Sequence, residues 1–121
     1  MLIVIATDNG VEIKLGHFGY AKHYFIYQVD SEKVNLTKKI PNPFRKEREC
    51  HHGEVRRRQG LINLFKMFGK VDAVVSTFFG PGGEEFFRKH GILTFKFKKP
   101  HTRIDEALKY IREKYVVTAE R

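Results

Sequence analysis

The chain has a single cysteine, Cys50, and no apolar run near the ~20 residues that a membrane-spanning helix requires. One cysteine cannot form a disulfide within the chain, which fits a reducing compartment, and we expect the cytoplasm. The apolar start, Leu2–Ala6, lacks a preceding basic segment and leads straight into the turn signal Asp8-Asn9-Gly10. It therefore predicts a buried strand, and we expect no signal peptide and no membrane segment.

Acidic residues are also scarce, with 14 Asp and Glu against 23 Lys and Arg, so the formal net charge is +9. A basic excess supplies affinity for phosphate and is typical of nucleic-acid-binding proteins. It also suits a site for an anionic ligand. A charge-rich surface without tryptophan is, however, common in proteins from hot environments. The composition alone leaves these three interpretations open.

The length and the apolar content predict one domain. Of the 121 residues, 41% are hydrophobic, which places the chain among globular proteins. A chain of this length can bury roughly two-thirds of its surface and needs no disulfide or metal to hold its core. We expect residues 1–115 to form this domain and residues 116–121 to be a frayed tail.

The first half of the sequence predicts three antiparallel strands. After Leu2–Ala6, the aromatic and β-branched residues of Tyr24–Val29 indicate a second strand. The turn signal Asp30–Lys33 follows, and Val34–Ile40 then alternates apolar with polar residues, so we expect one solvated face on the third strand. Strands joined by such short turns run in opposite directions.

The second half alternates helices with strands, as its apolar spacing and the helix-ending glycines Gly69 and Gly91 indicate. The expected elements are a helix over Glu54–Phe68, a strand over Val71–Ser76, a helix over Glu84–His90, a strand over Ile92–Phe97, and a helix from the capping-box-like pair Thr102 and Asp105 to Tyr115. Strands linked through helices run parallel with right-handed crossovers. The predicted fold is therefore α/β in the order β-β-β-α-β-α-β-α: a mixed five-stranded sheet flanked by about three helices, of ribonuclease-H-like kind.

Helical spacing also predicts which side chains reach the core. The long helix is expected to bury Val55, Leu61, Ile62, Phe65 and Phe68. The last helix is expected to bury Ile104, Leu108, Ile111 and Tyr115.

The cluster Cys50-His51-His52-Gly53 carries the strongest chemical signal of the chain. Thiolates and imidazoles bind borderline transition metals and iron–sulfur clusters. A single thiolate does not provide the usual site of four cysteines. Cys50 could instead anchor a preformed cluster through one or two bonds, or bind a single transition metal together with His51 and His17. The plain alternative is a connecting loop with a chance cysteine.

Two glycine-rich segments could complete such a site. Gly16-His17-Phe18-Gly19 places an imidazole between residues that let the backbone approach a ligand closely. Gly80-Pro81-Gly82-Gly83 follows a strand and precedes a helix, where backbone N–H groups can meet an anion. Each segment is equally consistent with an ordinary turn. Arg56–Arg58, at the start of the long helix, could offset the charge of an anionic ligand or form a solvated face.

Patterns for catalysis are weak. A metal-dependent nuclease or phosphohydrolase on this fold needs several acidic residues at strand ends, and Asp8 is the one obvious candidate. A pair of Cys50 and a histidine could act as nucleophile and base, but no oxyanion donors or orienting group stand out. We therefore expect a protein that is not an enzyme. A nuclease or phosphohydrolase, and a basic nucleic-acid-binding module, remain the alternatives.

Several segments in combination resemble the dinitrogenase iron–molybdenum cofactor biosynthesis family, in its small stand-alone form. The resemblance covers nearly the whole of residues 1–115. It rests on the strand Ile3–Ala6, on Gly16–Ala21 before Phe25–Tyr27, on His52-Gly53, on Asp72–Val75 before Gly80-Pro81-Gly82, and on Phe86–Ile92. The motif His-Phe-Gly before an aromatic strand, with a later Gly-Pro-Gly and His-Gly-Ile, is specific as a combination.

The resemblance implies a carrier that holds an iron–sulfur-type metallocluster, the iron–molybdenum cofactor or a precursor, between donor and acceptor proteins. The ligand-contacting positions that it implies, with Phe18 taken from the same motif, are His17, Phe18, Gly19, His52, Gly53, Gly80 and Gly82. On chemical grounds we add Arg56 to them. The metal ligands that we expect are Cys50, His51, His17 and His52.

Overall fold

Five strands and three α-helices make up the part of the chain that a computed structural model describes, residues 1–43, 53–80 and 82–117, with the backbone alone for residues 53–59. The strands are β1 (Leu2–Thr7), β2 (His23–Val29), β3 (Val34–Pro41), β4 (Ala73–Ser76) and β5 (Leu93–Lys96). The helices are α1 (Gly53–Phe68), α2 (Gly83–Lys89) and α3 (Ile104–Ile111). A 3-10 turn spans Phe18–Tyr20, and a π-helical turn, Arg112–Val117, extends α3.

The strands form one mixed sheet in the order β3-β2-β1-β4-β5. The central strand β1 pairs antiparallel with β2 and parallel with β4, and β5 continues the parallel side. This arrangement confirms the predicted α/β class, with a mixed five-stranded sheet and three helices. The ribonuclease-H-like name for it stays a prediction.

The core has two layers because β1 is buried on both faces. Val4 and Ala6 contribute to a cluster with residues of α1 and α2, whereas Ile3 and Ile5 contribute to a cluster with residues of α3. Side chains alternate between the two faces of a strand, so an uninterrupted apolar run suits a central strand covered on both sides. The uninterrupted apolar run of β1 thus accounts for its central position in the sheet.

The buried face of α1 is centred on a residue that the sequence analysis did not single out. Leu64 is completely buried, between Leu61 and Phe68, whereas Ile62 and Phe65 are only half-buried. Residues 61, 64 and 68 follow the spacing of a single helical stripe. Neighbouring apolar residues also fit a helical spacing, so the pattern alone did not identify the centre of the stripe. Val55 lies where the side chains are not described.

The start of α3 corrects the predicted capping pair. Arg103 is the N-cap residue, one position later than Thr102. The backbone N–H of Arg103 donates to Glu106 Oε1 at 3.4 Å, while the Thr102 hydroxyl donates to the carbonyl of Lys99 at 2.7 Å. The Thr102 side chain therefore closes the preceding turn, and Glu106 supplies the acid of the cap.

The end of α3 also differs from the expectation. Tyr115 is 46% exposed, and Val116 is buried in its place. A π-helical turn takes more residues than an α-helical turn, so the buried position moves along the sequence. Packing therefore continues beyond residue 115, and residues 118–121 of the expected tail lie outside the described part of the chain.

One edge of the sheet brings the functional loops together. The last residue of β1, Thr7, pairs with His23 of β2, which in turn pairs with Pro41 of β3. Strand β4 runs parallel to β1 and ends at the same edge, at Ser76. From β1 the chain continues to β2 and β3 on one side, and it later forms β4 and β5 on the other. Open α/β sheets bind ligands at such a switch point, beyond the carboxyl ends of the strands.

Candidate functional site

The loop that carries His17 lies directly beside the loop that follows β4. His17 and Phe78 form an isolated parallel bridge, and the backbone N–H of Phe18 donates to the Phe78 carbonyl at 2.7 Å. The sequence analysis singled out three segments for the site. Two of them, Gly16–Gly19 and Gly80–Gly83, therefore meet at the carboxyl edge of the sheet.

Two hydroxyl groups at the end of β4 hold the His17 loop in place. The Thr77 hydroxyl accepts a hydrogen bond from the Gly16 N–H at 2.7 Å and lies 2.9 Å from the Lys14 carbonyl, to which it can donate. The Ser76 hydroxyl donates to the Gly16 carbonyl at 3.1 Å. The sequence analysis missed both residues. The signal that could have found them is a hydroxyl pair directly after a buried strand, where loop backbone needs partners.

The imidazole of His17 occupies the space that a side chain at position 80 would need. Gly80 has φ +77°, and a Cβ built on it would lie 2.6 Å from both Nδ1 and Cε1 of His17. The ring centroid also lies 4.9 Å from that of Tyr20 and 4.6 Å from that of Phe78. The position of the imidazole is therefore defined by a glycine on one side and by two aromatic rings.

Phe18 has a different role from the one expected of it. Its ring is only 1% exposed, so it is removed from any surface that could contact a ligand. Its aromatic neighbours within the core are Tyr24, Phe68, Phe79 and Phe87. The Tyr24 hydroxyl donates to the Phe18 carbonyl at 2.6 Å. Phe18 thus anchors the loop in the core and leaves the preceding His17 at the edge.

The segment with Cys50, His51 and His52 lies outside the described residues, in the gap between Pro43 and Gly53. Asn42, close to the start of this gap, is tied to the same loop. The Asn42 amide donates to the carbonyls of Gly19 at 3.0 Å and Ala21 at 2.9 Å. On the other side of the segment, α1 begins at Gly53 and contacts the 3-10 turn. Arg56 lies in the first turns of α1, where the backbone alone is described.

The loop after Gly80 leads into a cleft of about 530 Å³ beside α2. Gly82, with φ +78°, is the N-cap of α2, and the cleft includes Glu84, Glu85 and Arg88. Glu84 Oε2 forms an ion pair with Lys96 at 3.1 Å. Glu85 Oε1 pairs with Lys89 Nζ at 3.5 Å, and Arg88 also lines the cleft, so charges of both signs surround it.

Among the side chains that the structure describes, no three His, Cys, Asp or Glu residues come together as a metal-binding group. Two other histidines have structural partners: His90 Nδ1 lies 2.8 Å from the Phe86 carbonyl, and His101 Nδ1 lies 2.9 Å from Glu12 Oε2. His23 lies exposed on β2. A metal ligand set that includes His17 would therefore need ligands from outside the described part of the chain.

Asp8, the strand-end acid considered for a nuclease, has both oxygens in use. Oδ2 pairs with Lys14 Nζ at 2.9 Å, and Oδ1 accepts the N–H of Lys22 at 2.9 Å. Burial alone would raise the pKa of Asp8, but the hydrogen bonds from Lys14 and Lys22 and the charges of both lysines lower it below its usual value. These contacts give Asp8 a structural role in joining three parts of one loop.

These observations define a small α/β protein with a loop cluster at the switch point of an open sheet. The chain belongs to the dinitrogenase iron-molybdenum cofactor family, whose sequence profile matches residues 1–114. The match confirms the family resemblance found in the sequence and associates the chain with iron–molybdenum cofactor biosynthesis. No protein with a curated description matches the sequence.

A solved structure described as "Crystal structure of PH0822" has a similar fold. Its TM-score with this chain is 0.65 at 22% sequence identity, and the alignment covers 92% of this chain and 89% of that one. At this identity the likeness shows the fold alone. Separately, none of the described helices is long and apolar enough to cross a membrane.

Proposed function

We propose that this protein is a non-enzymatic cytoplasmic carrier of an iron–sulfur-type metallocluster, the iron–molybdenum cofactor or a precursor of it. The cluster is the cargo of the protein, bound for transfer between a donor and an acceptor protein. Membership of the cofactor family supports the chemical class of the cargo. The carrier role and the ligands named below are our proposal.

The observation that carries the proposal is the meeting of His17 with Gly80 at the carboxyl edge of the sheet. The imidazole is positioned by packing against a glycine and two rings, and this preorganisation favours ligand binding. An imidazole nitrogen is a suitable ligand for iron and for other borderline metals. Gly80 leaves room for this imidazole beside the loop that follows β4, and Gly19 is buried under the same loop cluster.

The remaining ligands that we propose come from Cys50, His51 and His52. Gly53 follows this segment directly, and Asn42, eight residues before Cys50, is bonded to the loop that contains His17. Three residues of extended chain span about 10 Å, so Cys50 is within short reach of the start of α1. One thiolate and one or two imidazoles would hold a preformed cluster through few bonds, which suits release to an acceptor. Arg56 would offset part of the cluster's negative charge.

The first test is anaerobic loading of the apoprotein with iron and sulfide, and separately with a molybdenum–iron cluster donor. Bound metal per chain and visible absorption would be measured for the wild type, Cys50→Ala and His17→Ala. We expect stoichiometric uptake by the wild type and strong loss in both variants. His23→Ala is the matched control, because His23 is an exposed histidine of the same edge that is not a proposed ligand.

Two results would contradict the proposal. The first is a wild type that binds neither cluster nor single metals. The second is uptake that falls equally in His23→Ala and His17→Ala, because this pattern would indicate nonspecific binding by surface imidazoles. Thermal unfolding of each apoprotein variant would show that the fold is retained.

A further inference from the structure

The edge strand β3 exposes an unpaired side within the described part of the chain. It stands last in the strand order, with β2 as its one described neighbour. It is also the longest strand of the sheet, Val34–Pro41. An exposed edge presents N–H and C=O groups that can pair with a strand from another molecule.

Two apolar side chains of β3, Val34 and Leu36, remain exposed on the sheet face that α3 covers elsewhere. Val34 pairs with Val29, and Leu36 pairs with Tyr27, so their side chains share the face that packs against α3. Each is 42% exposed. α3 therefore covers the central strands but leaves this part of the sheet open.

A groove of about 410 Å³ lies between α3 and this open part of the sheet. The groove's aliphatic side chains come from three separate parts of the chain: Val11, Val34, Ile104 and Leu108. Tyr27 contributes a half-buried aromatic ring. An aliphatic floor next to an unpaired strand edge suits an extended peptide, whose alternate side chains would point into the groove.

The rim of the groove is basic. It contains the cations Arg103, Lys109 and Arg112 and one carboxylate, Asp105, which pairs with Arg103 at 3.3 Å. Arg112 donates to the backbone carbonyls of Asp30 and Ser31, so it ties α3 to the turn between β2 and β3 and keeps its charge.

The strand itself adds further positive charge to this surface. β3 carries Lys38 and Lys39 and no acidic residue. Lys39 Nζ lies 5.3 Å from the centroid of the Phe25 ring, on the α3 face. A segment that lies along β3 and the groove therefore needs negative charge.

This combination argues against two other occupants. A second copy of the chain would bring two β3 strands together, and their lysines would repel each other. Single-stranded nucleic acid needs exposed aromatic rings for base stacking. Here the Tyr27 ring in the groove is half-buried among aliphatic side chains, and the Phe25 ring packs against Gly10, where a Cβ would lie 3.1 Å from it.

We propose that β3 and the α3 groove form a docking surface for an acidic, extended segment of a partner protein, which adds to the sheet as a sixth strand. On the side of the segment that faces α3, valine-like side chains would pack into the groove, and carboxylates two residues away from them would face Lys109, Arg112 and Lys39. The proposal goes beyond the carrier function and needs no cargo. Its test uses the apoprotein, so failure of metal loading would not affect the result.

The experiment measures binding of two labelled peptides by fluorescence anisotropy: acetyl-(Thr-Glu-Thr-Val)2-amide, called the Glu-Val peptide, and acetyl-(Thr-Lys-Thr-Val)2-amide, called the Lys-Val peptide. In each peptide the charged residues and the valines share one face of the strand. The two probes have the same valines and opposite charge. We expect the Glu-Val peptide to bind about ten-fold more tightly than the Lys-Val peptide at low salt. Chemical shift changes should concentrate on β3 and α3. Equal affinity of the two peptides, or shift changes confined to other elements, would overturn the proposal.

Variants locate the contacts. Lys109→Glu and Leu36→Thr should each weaken binding of the Glu-Val peptide several-fold, because they remove a rim cation and an apolar contact. Lys66→Glu is the matched control, since it makes the same charge change on α1, on the other face of the sheet, and should leave affinity nearly unchanged. An equal effect of Lys66→Glu and Lys109→Glu would show nonspecific attraction and overturn the proposal.

Strand pairing has its own test. Glu-Val peptides N-methylated at every threonine, or at every glutamate and valine, lose the N–H donors along one side of the strand. One of these two peptides should fail to bind, and the other should bind. Binding of both would overturn the addition of a sixth strand.

Two further results would replace the proposed partner by another. Displacement of the Glu-Val peptide by a dT15 oligonucleotide, with the same dependence on Lys109, would identify a nucleic-acid surface. A dimer in solution that Leu36→Thr converts to a monomer would identify a second copy of the chain as the occupant. Either result would overturn an acidic protein segment as the partner.

Discussion

At the scale of single residues, the candidate site depends on an atom that is absent. Gly80 has no Cβ, and two atoms of the His17 imidazole lie only 2.6 Å from where that atom would be. The positive φ of Gly80 also disfavours any other residue at this position. Both properties point to the same outcome: the ring of His17 keeps its place because position 80 is glycine.

Gly80→Ala should therefore destabilise the protein and displace His17. The positive φ alone costs an alanine roughly 1–2 kcal/mol, and the 2.6 Å approach to the imidazole adds to this cost. The free energy of unfolding in urea and the NMR signals of the His17 ring would measure the two effects.

The matched control for this change is Gly91→Ala. Gly91 has φ +73°, and nothing lies within 4 Å of a Cβ built there, so the variant bears the backbone strain without a collision. We expect it to lose less stability and to leave the His17 signals unchanged. Equal losses with an unchanged imidazole would show that Gly80 does not position His17.

The sequence identified His17 and Gly80 separately but not their contact. Glycine-flanked motifs can be read locally, whereas this contact arises from the parallel pairing of β1 and β4. Phe18 shows the opposite error. A motif residue was assigned to the ligand side, although its ring lies in the core, because the direction of a side chain in a loop has no periodic pattern. The contributions of Cys50, His51 and His52 stay predictions.

At the scale of elements, the end of β4 and the His17 loop are joined by side-chain hydroxyls. Thr77→Val keeps the shape of the side chain but removes the partner of the Gly16 N–H and the Lys14 carbonyl. We expect a loss of about 1–3 kcal/mol in unfolding free energy, because these backbone groups would be left without that partner. Urea unfolding would measure it.

Thr77→Ser provides the comparison, because it retains the hydroxyl and deletes a methyl group. Its stability should lie much closer to that of the wild type. If both variants lost the same amount, packing of the methyl group and not hydrogen bonding would hold the loop.

The loop after β1 should be sensitive to pH through Asp8. Its pKa in the folded protein is lowered, so the carboxylate contributes stability above its unfolded pKa of about 4, and this contribution is lost as pH falls through the folded value. Asp8→Asn should thus be less stable than the wild type at neutral pH and nearly equal to it in strong acid. Urea midpoints measured across this range would reveal the convergence, and a constant difference would contradict it.

Helix boundaries show how far local patterns can predict an element. The terminal glycines Gly69 and Gly91 were predicted from sequence, and both have the positive φ of helix-ending residues. The cap residue of α3 and the π-helical turn at its end were not predicted from sequence. Thr102 and Arg103 compete for the cap position, and the choice depends on whether the Thr102 hydroxyl can reach Lys99, a tertiary detail.

At the scale of the whole molecule, the sequence predicted the order of elements and the mixed sheet. The short turns of the first half and the helix–strand alternation of the second half leave few topologies open. What could not be predicted is how completely α3 covers its face of the sheet. That coverage depends on the length and position of one helix, and it leaves Val34 and Leu36 exposed.

The excess of positive charge also acts on the whole molecule. With 23 Lys and Arg against 14 Asp and Glu, repulsion among cations opposes the folded state. Raising sodium chloride from low to moderate concentration should screen this repulsion and raise the melting temperature by a few degrees. Thermal unfolding followed by circular dichroism would measure the change. A lower melting temperature in salt would mean that attractive ion pairs outweigh the repulsion.

The contact between His17 and Gly80 also has a consequence for the history of the sequence. Two positions that share one volume cannot change independently, because a larger residue at position 80 requires a smaller or reoriented one at position 17. Among homologous chains we therefore expect substitution of the glycine to coincide with loss of the imidazole. In chains that retain both residues, the two positions have been conserved together.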